Sequence, residues 1–261
     1  MKKIIFLYLI LCTAISSAQS TNNNATFKAG EWFKFRIHYG IFNASYATLE
    51  VKDDIVGGKP VFHVVGKGKT TGLARLFFNV DDDYESYFDK VDGKPYKFIR
   101  KIDEGGYTKD IEIHFDHGTN KAKVIDHKHK KDTVMDVPVG VQDLISAFYY
   151  LRNNYDTQNL QLGDEVVLNM LYGDDEVFNF KLKYLGKETV KTKFGKIRCL
   201  MFRPYVRSGR VFKEKESLTL WVSDDANKIP IRIKADLAVG SLKADLDEFK
   251  GLKYQFKIVA D

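Results

Sequence analysis

The sequence predicts an all-β protein: one strongly curved antiparallel sheet, an open half-barrel of about 11–13 strands, with a helix plugging its concave face. Three observations predict it. Apolar and polar residues alternate with a period of two along most of the 261-residue chain. Turn signals recur at short intervals between the alternating runs. A single run, VQDLISAFYYLR (Val141 to Arg152), breaks that pattern with helical spacing.

In EWFKFRIHY, Phe33, Phe35, Ile37 and Tyr39 share one face, with Lys34, Arg36 and His38 on the other. SYATLEVKDD continues in kind, with Ser45, Ala47, Leu49 and Val51 as the apolar row. One polar face and one apolar face mark half-buried antiparallel strands, and the short GIFN between the two runs makes them a hairpin. PVFHVVGKGKT follows a Gly57–Pro60 turn, and DYESYFDKV and PYKFIRKID flank Asp92-Gly93-Lys94. KDIEIHFD and KAKVIDHKH flank the turn His117 to Asn120. After the helix come DEVVLNMLYG, EVFNFKLKYLGKETV, KIRCLMFRPYV and ESLTLWVSD, then IPIRIKADLAV, GSLKADLDEFK and LKYQFKIVA.

The helix is expected over Asp143 to Asn154, with Asp143 in its first turn, where a carboxylate meets free backbone N–H groups. Leu144, Ala147, Phe148 and Leu151 form one apolar stripe, and Ile145, Tyr149 and Arg152 an adjoining one. So apolar a helix needs cover, and a curved sheet has a concave face that needs filling.

The first residues suggest export. Met1-Lys2-Lys3 is basic, Ile4 to Ile15 is apolar, and Ser16-Ser17-Ala18 supplies small residues for cleavage at Ala18/Gln19. The apolar part is too short to span a bilayer and fits a signal peptide over residues 1–18. Leu11 stands where lipoprotein processing at Cys12 would need a small residue. QSTNNNAT reads as a disordered leader over 19–26, and 27–261 as one domain. Cleavage would remove Cys12 and leave Cys199 without a disulfide partner, so the core must hold the fold. It would also remove two lysines, taking 41 basic residues to 39 against 35 acidic, and the net charge from +6 to +4. That charge is spread along the chain, unlike a nucleic-acid footprint. No later stretch is long and apolar enough for a membrane span.

Several segments together resemble a bacterial exported family, domain of unknown function 3108 (DUF3108). They are AGEWFKFRIHYGIFNASYATLEV, VPVGVQDLISAFYYLR and LTLWVSDDANKIPIRIKADL, in the same order over nearly all of residues 27–261. Ser45 departs from the pattern, where a glycine is expected. The resemblance carries over no catalytic residue. The late hairpin WVSDDANKIPIRI is also similar to strands of lipoprotein carriers and periplasmic sensors with an open half-barrel and helical lid. It implies a hollow that shelters acyl chains, by analogy of fold.

Candidate sites are few. His127-Lys128-His129 would share a strand face, but Asp126 would point away and His114 lies out of register, so a solvated edge is expected and no metal site. Asp81-Asp82-Asp83 lacks the glycine and distal glutamate of a calcium loop and reads as charged turn residues. Cys199 alternates with Ile197 and Met201, so it reads as a buried apolar residue and not a nucleophile. No serine elbow, phosphate loop or His-Glu-x-x-His pair occurs, and no cofactor is implied. An enzyme built on an unrecognised carboxylate pair ranks third among the readings.

Aromatic residues at alternating positions include Phe33, Phe35, Tyr39, Phe88, Phe98, Phe180, Phe202, Tyr254 and Phe256. They either form the core or line a cavity for an apolar ligand. The candidates for that cavity are Phe33, Phe35, Tyr39, Leu144, Ile145, Phe148, Leu151, Phe202 and Phe256. A basic stretch with Arg203, Arg207, Arg210, Lys213 and Lys215 is a candidate contact for anionic headgroups or an acidic partner. The leading expectation is a non-enzymatic periplasmic protein of the Gram-negative envelope that binds a lipid or an acylated protein. The alternative is an assembly factor that engages envelope proteins through sheet edges and the basic hairpin.

Overall fold

The structure, a computed structural model, describes residues 25–72, 75, 79–173, 176–205, 218–237 and 239–259. Eight strands come first: β1 (Trp32–Tyr39), β2 (Phe42–Val56), β3 (Lys59–Thr70), β4 (Val80–Asp89), β5 (Pro95–Glu104), β6 (Tyr107–Asp116), β7 (Lys121–Asp126) and β8 (Lys131–Asp136). Helix α1 (Leu144–Asn154) follows. Six more strands complete the order: β9 (Glu165–Met170), β10 (Phe178–Thr192), β11 (Gly195–Tyr205), β12 (Leu218–Ser223), β13 (Pro230–Asp236) and β14 (Ser241–Lys250).

All fourteen belong to one sheet, in the order β8-β7-β6-β5-β4-β3-β2-β1-β14-β13-β12-β11-β10-β9. It is two meanders fused where β1 pairs antiparallel with β14, Phe33 opposite Phe249 and Tyr39 opposite Leu242. The sheet curves without closing, so β8 and β9 are its edges. The helix links these two edges in the chain and packs on β4 and β9 across the concave side.

The strand count is one above the expected range, and three details differ. KDTVMD forms β8, which its pattern hides because Val134 and Met135 are adjacent and do not alternate. LKYQFKIVA is not a strand: Gly251 at φ +71 turns the chain beside Gly30, and Val259 makes only an isolated bridge to Lys196. His127 to Lys130 form the β7–β8 turn instead of extending β7. Ala25 and Thr26, at the end of the expected leader, touch the fold: Ala25 is 4% exposed and the Thr26 amide donates to Asn153 Oδ1. The expected signal segment 1–18 lies outside the described residues.

Three apolar clusters line the interior. Beneath the helix, the Phe27 ring meets Tyr149 at 4.5 Å and Phe62 at 4.9 Å between centroids. At the meander junction, Phe33, Ile197, Trp221 and Leu246 pack with Phe194, Phe249 and Phe256. Under the other flank of the helix, Leu182, Tyr184, Leu200 and Phe202 meet Leu151 and Tyr155. Each such fully buried side chain contributes roughly 1.5–3 kcal/mol.

The helix presents a different stripe from the one its most apolar residues suggest. Ile145, Ala147, Tyr149 and Arg152 are buried, Phe148 and Leu151 are half-buried, and Leu144 is 41% exposed. The reason is its position. One face lies on the sheet, and the other borders open space inside the curve.

Candidate functional site

Two buried polar devices fix the helix. Asp143 caps it: Oδ1 accepts from the Ile145 and Ser146 amides at 2.8 Å, and Ser146 Oγ accepts from the Asp143 amide, a reciprocal capping box. Ser86 of β4 donates to Asp143 Oδ2 at 2.6 Å, which pins the helix start to the sheet. Burial pushes the Asp143 carboxyl up to about 6, against the lowering effect of those hydrogen bonds.

At the other end, Arg152 donates to Glu31 through both terminal guanidinium nitrogens, at 2.6 and 2.9 Å, and to the Asn227 carbonyl at 2.8 Å. Its guanidinium lies 5.3–5.8 Å from the ring centroids of Phe27, Phe33, Phe148 and Tyr149. Glu31 precedes β1 and Asn227 sits in the β12–β13 turn, so one side chain joins the helix to both meanders. The sequence reading left Arg152 on a secondary stripe. The available signal was its place three residues after Tyr149 and seven after Ile145, on the face the fold buries.

Held this way, the helix borders two apolar chambers on the concave side. The larger, about 930 Å³, lies against β1 to β5 and the start of α1. The smaller, about 130 Å³, lies between α1 and β9 to β12. Leu144 borders both.

The larger chamber exists because its wall is built of small residues in register: Ser45 opposite Thr70, Ala47 opposite Gly68, Leu49 opposite Gly66. A β-carbon added at Gly66 would stand 3.4 Å from Leu49 and 3.8 Å from Ile145, in ordinary contact, so the glycine leaves room without a backbone demand. Ser45 lines this wall and donates to the Lys69 carbonyl. Lys67, Asp82 and Glu104 are the charged residues in the chamber's lining, with Asp82 directly opposite Gly68. Burial, and then the Glu104 charge, push the Asp82 carboxyl up to about 6.

The predicted residues divide accordingly. Tyr39, Leu144 and Ile145 line the larger chamber. Leu144, Phe148, Leu151 and Phe202 line the smaller. Phe33, Phe35 and Phe256 belong to the junction cluster and border neither chamber. Sequence reasoning missed the small-residue wall of β2 and β3, although GKGK beside Ala44 and Ala47 carries its signal. Arg203 lies on β11, whereas Arg207, Arg210, Lys213 and Lys215 lie outside the described residues.

The remaining chemical suspects are placed by their surroundings. Cys199 is fully buried, and burial pushes its thiol up to about 12. Asp81, Asp82 and Asp83 lie within β4, not in a turn, with Asp81 and Asp83 paired to Lys69 and Lys67. Asp126 does not point away from the histidines: its Oδ2 meets His129 Nδ1 at 2.6 Å, while Glu112 meets His114 at 2.6 Å and His127 at 3.3 Å. No group of three metal-ligating side chains occurs among the described residues.

An open curved sheet around a partly filled hollow is the architecture of a β-barrel-like protein. The chain belongs to the DUF3108 family, described as proteins of unknown function, whose model matches residues 34–247. Its fold is similar to a β-barrel-like protein of domain of unknown function DUF1849 from Brucella abortus. The TM-score is 0.54 at 10% identity, over 87% of this chain and 100% of that one. A DUF1089 family protein from Pseudomonas aeruginosa overlaps less well, with a TM-score of 0.38 at 12% identity over 84% and 97% of the two chains. No curated protein matches the chain.

Proposed function

We propose that this is a non-enzymatic protein of the cell envelope, exported to the periplasm, that shelters an acyl chain of a lipid or acylated protein in its concave hollow. One observation carries the reading: the helix leaves a chamber of about 930 Å³ walled mainly by apolar and small side chains, with Lys67, Asp82 and Glu104 as the charged members of its lining. That volume falls within the roughly 300–1,000 Å³ of small-molecule sites, which are mostly apolar with a few polar groups for orientation. The basic start and apolar stretch of residues 1–15 support export. No helix among the described residues is long and apolar enough to cross a membrane.

The test is binding. Native mass spectrometry of protein purified from its own periplasm should show a lipid adduct, and a fluorescent fatty acid should bind and be displaced by unlabelled acid. Ala47→Phe and Gly68→Leu, both on the chamber wall, should weaken the probe by on the order of tenfold or more while leaving the circular dichroism spectrum unchanged. Equal probe binding in wild type and both variants, or absence of lipid and of probe binding, would remove the chamber from the function. The assembly reading, supported by the two open edges at β8 and β9, would then replace it.

A further inference from the structure

Two hairpin tips stand together at the end of the sheet where the larger chamber meets its boundary of strand termini. The β1–β2 tip presents Ile41 and Phe42, 88% and 72% exposed, and the β13–β14 tip presents Val239, 77% exposed. They are neighbours because β1 pairs with β14. Tyr39 Oη donates to the Val239 carbonyl at 3.0 Å, and its ring lies on Gly240, where a β-carbon would come within 2.6–3.0 Å. Tyr39 and its cross-strand partner Leu242 also line the chamber, so apolar surface runs from the tips into the hollow. Other exposed apolar side chains, such as Val91, Val139 and Leu162, stand singly on separate connections.

Scattered exposed apolar residues need no explanation, whereas a contiguous group beside a cavity does. Charge adds to it. Behind the tips, Lys243 of β14 stands between His38 of β1 and Lys234 of β13, so two lysines face one another. Like charges in directly opposed positions are destabilising unless something neutralises them. Lys234 leans on Asp236 at 2.8 Å and His38 on Asp245 at 2.9 Å, but Lys243 has no ion-pair partner among the described residues. Apolar tips ahead of a basic row suit an anionic lipid surface, whose interface takes apolar side chains and whose phosphates attract lysines.

The geometry points to this rim as a docking face for an anionic lipid bilayer: Ile41, Phe42 and Val239 enter the interface, Lys243 meets headgroups, and the larger chamber is held against the leaflet. The inference rests on the reading that the chamber holds an acyl chain, and it names where that chain would enter and leave.

Flotation of the exported chain with vesicles of phosphatidylethanolamine and phosphatidylglycerol tests it. Wild type should float with these vesicles and less with phosphatidylcholine alone. The triple variant Ile41→Ser, Phe42→Ser, Val239→Ser should lose on the order of tenfold or more in vesicle partition. Lys243→Gln should weaken partition and flatten its dependence on salt. Soluble fluorescent fatty acid should still bind the triple variant as it binds wild type, because none of the three residues lines the chamber. Floating without uptake of the probe would keep the docking face and discard the chamber's ligand. Failure of wild type to float, or equal flotation of the triple variant, would overturn the proposal. So would a wild-type dimer, seen by sedimentation velocity and lost in the triple variant, if no vesicle binding accompanies it.

Discussion

Arg152 carries its charge to a place where its side chain is 3% exposed, and Glu31, its partner, is completely buried. Taking two charges out of water is costly, and the attraction between them offsets that cost only while both are present with their hydrogen bonds made. Arg152→Met should therefore destabilise the protein by about 3–5 kcal/mol, because it strands the Glu31 carboxylate. The double variant Arg152→Met, Glu31→Leu should recover much of the loss. Urea unfolding of the set measures this. A single variant within about 1 kcal/mol of wild type would show that the pair is no stronger than a surface ion pair. The stripe of Arg152 with Ile145 and Tyr149 was legible in the chain, but the partner was not. A last-turn arginine has a ready explanation as a solvated cation at the negative end of the helix dipole, and 121 positions separate it from Glu31. Cys199 was legible, because alternation with Ile197 and Met201 placed it inward, and it is buried. The chamber wall was overlooked for a related reason. Glycine and alanine carry little hydropathy, so a reading by apolar alternation passes over Ala47, Gly66 and Gly68 although their small size is plain in the chain.

The helix was the most legible element: its span, its aspartate start and its place over the concave face all follow from spacing and from one capping residue. Which stripe faces inward did not follow. Both stripes are apolar, and the fold chooses between them through the Ser86 and Glu31 contacts, which come from distant parts of the chain. Asp143 gives this element a measurable pH dependence. Burial raises its carboxyl to about 6 from an ordinary 3.8. The folded chain then holds a proton between about pH 4 and 6 that the unfolded chain releases, so this group's contribution to stability falls as pH rises through that window and is flat above it. The whole effect is at most on the order of 3 kcal/mol. Asp143→Asn keeps an oxygen for the two amides, offers its NH₂ to Ser86 Oγ and has no charge to desolvate. It should match or exceed wild-type stability at pH 7.5 and lack the contribution to the slope between pH 4 and 6. Asp143→Ala should lose about 1 kcal/mol from the cap alone, and more from the unpaired Ser86 hydroxyl. Unfolding titrations at pH 5 and 7.5 compare the three, and an asparagine variant clearly weaker than wild type at pH 7.5 would contradict the assignment.

At the scale of the molecule, the meander was legible because consecutive strands with short turns pair with their neighbours. The fusion of β1 with β14 was not, since nothing local marks two strands that meet from opposite ends of the sheet. The same topology leaves two edges, and the chain treats them differently. At β9, Gln142 forms a short parallel bridge, its amide donating to the Asn169 carbonyl and its carbonyl accepting from the Leu171 amide. At β8 no strand follows in the sheet order, and protection falls to side chains: Asp132 pairs with Lys123 at 2.9 Å and Asp136 with Lys121 at 2.6 Å, on either side of Val134, which is 62% exposed. Charge on an edge strand is a recognised barrier to pairing with another copy. Asp132→Val with Asp136→Val would turn KDTVMD into KVTVMV and line one face of the edge with three valines in succession at alternate positions. The double variant should associate as concentration rises, by sedimentation velocity and light scattering, and a further Val134→Lys should return it to wild-type behaviour. The fold itself should persist, because the two aspartates are exposed and each loses only a surface ion pair worth up to about 1 kcal/mol. If the variant keeps the wild-type sedimentation coefficient at every concentration, the carboxylates are not what keeps this edge unpaired, and the twist of the outer strands must do so instead.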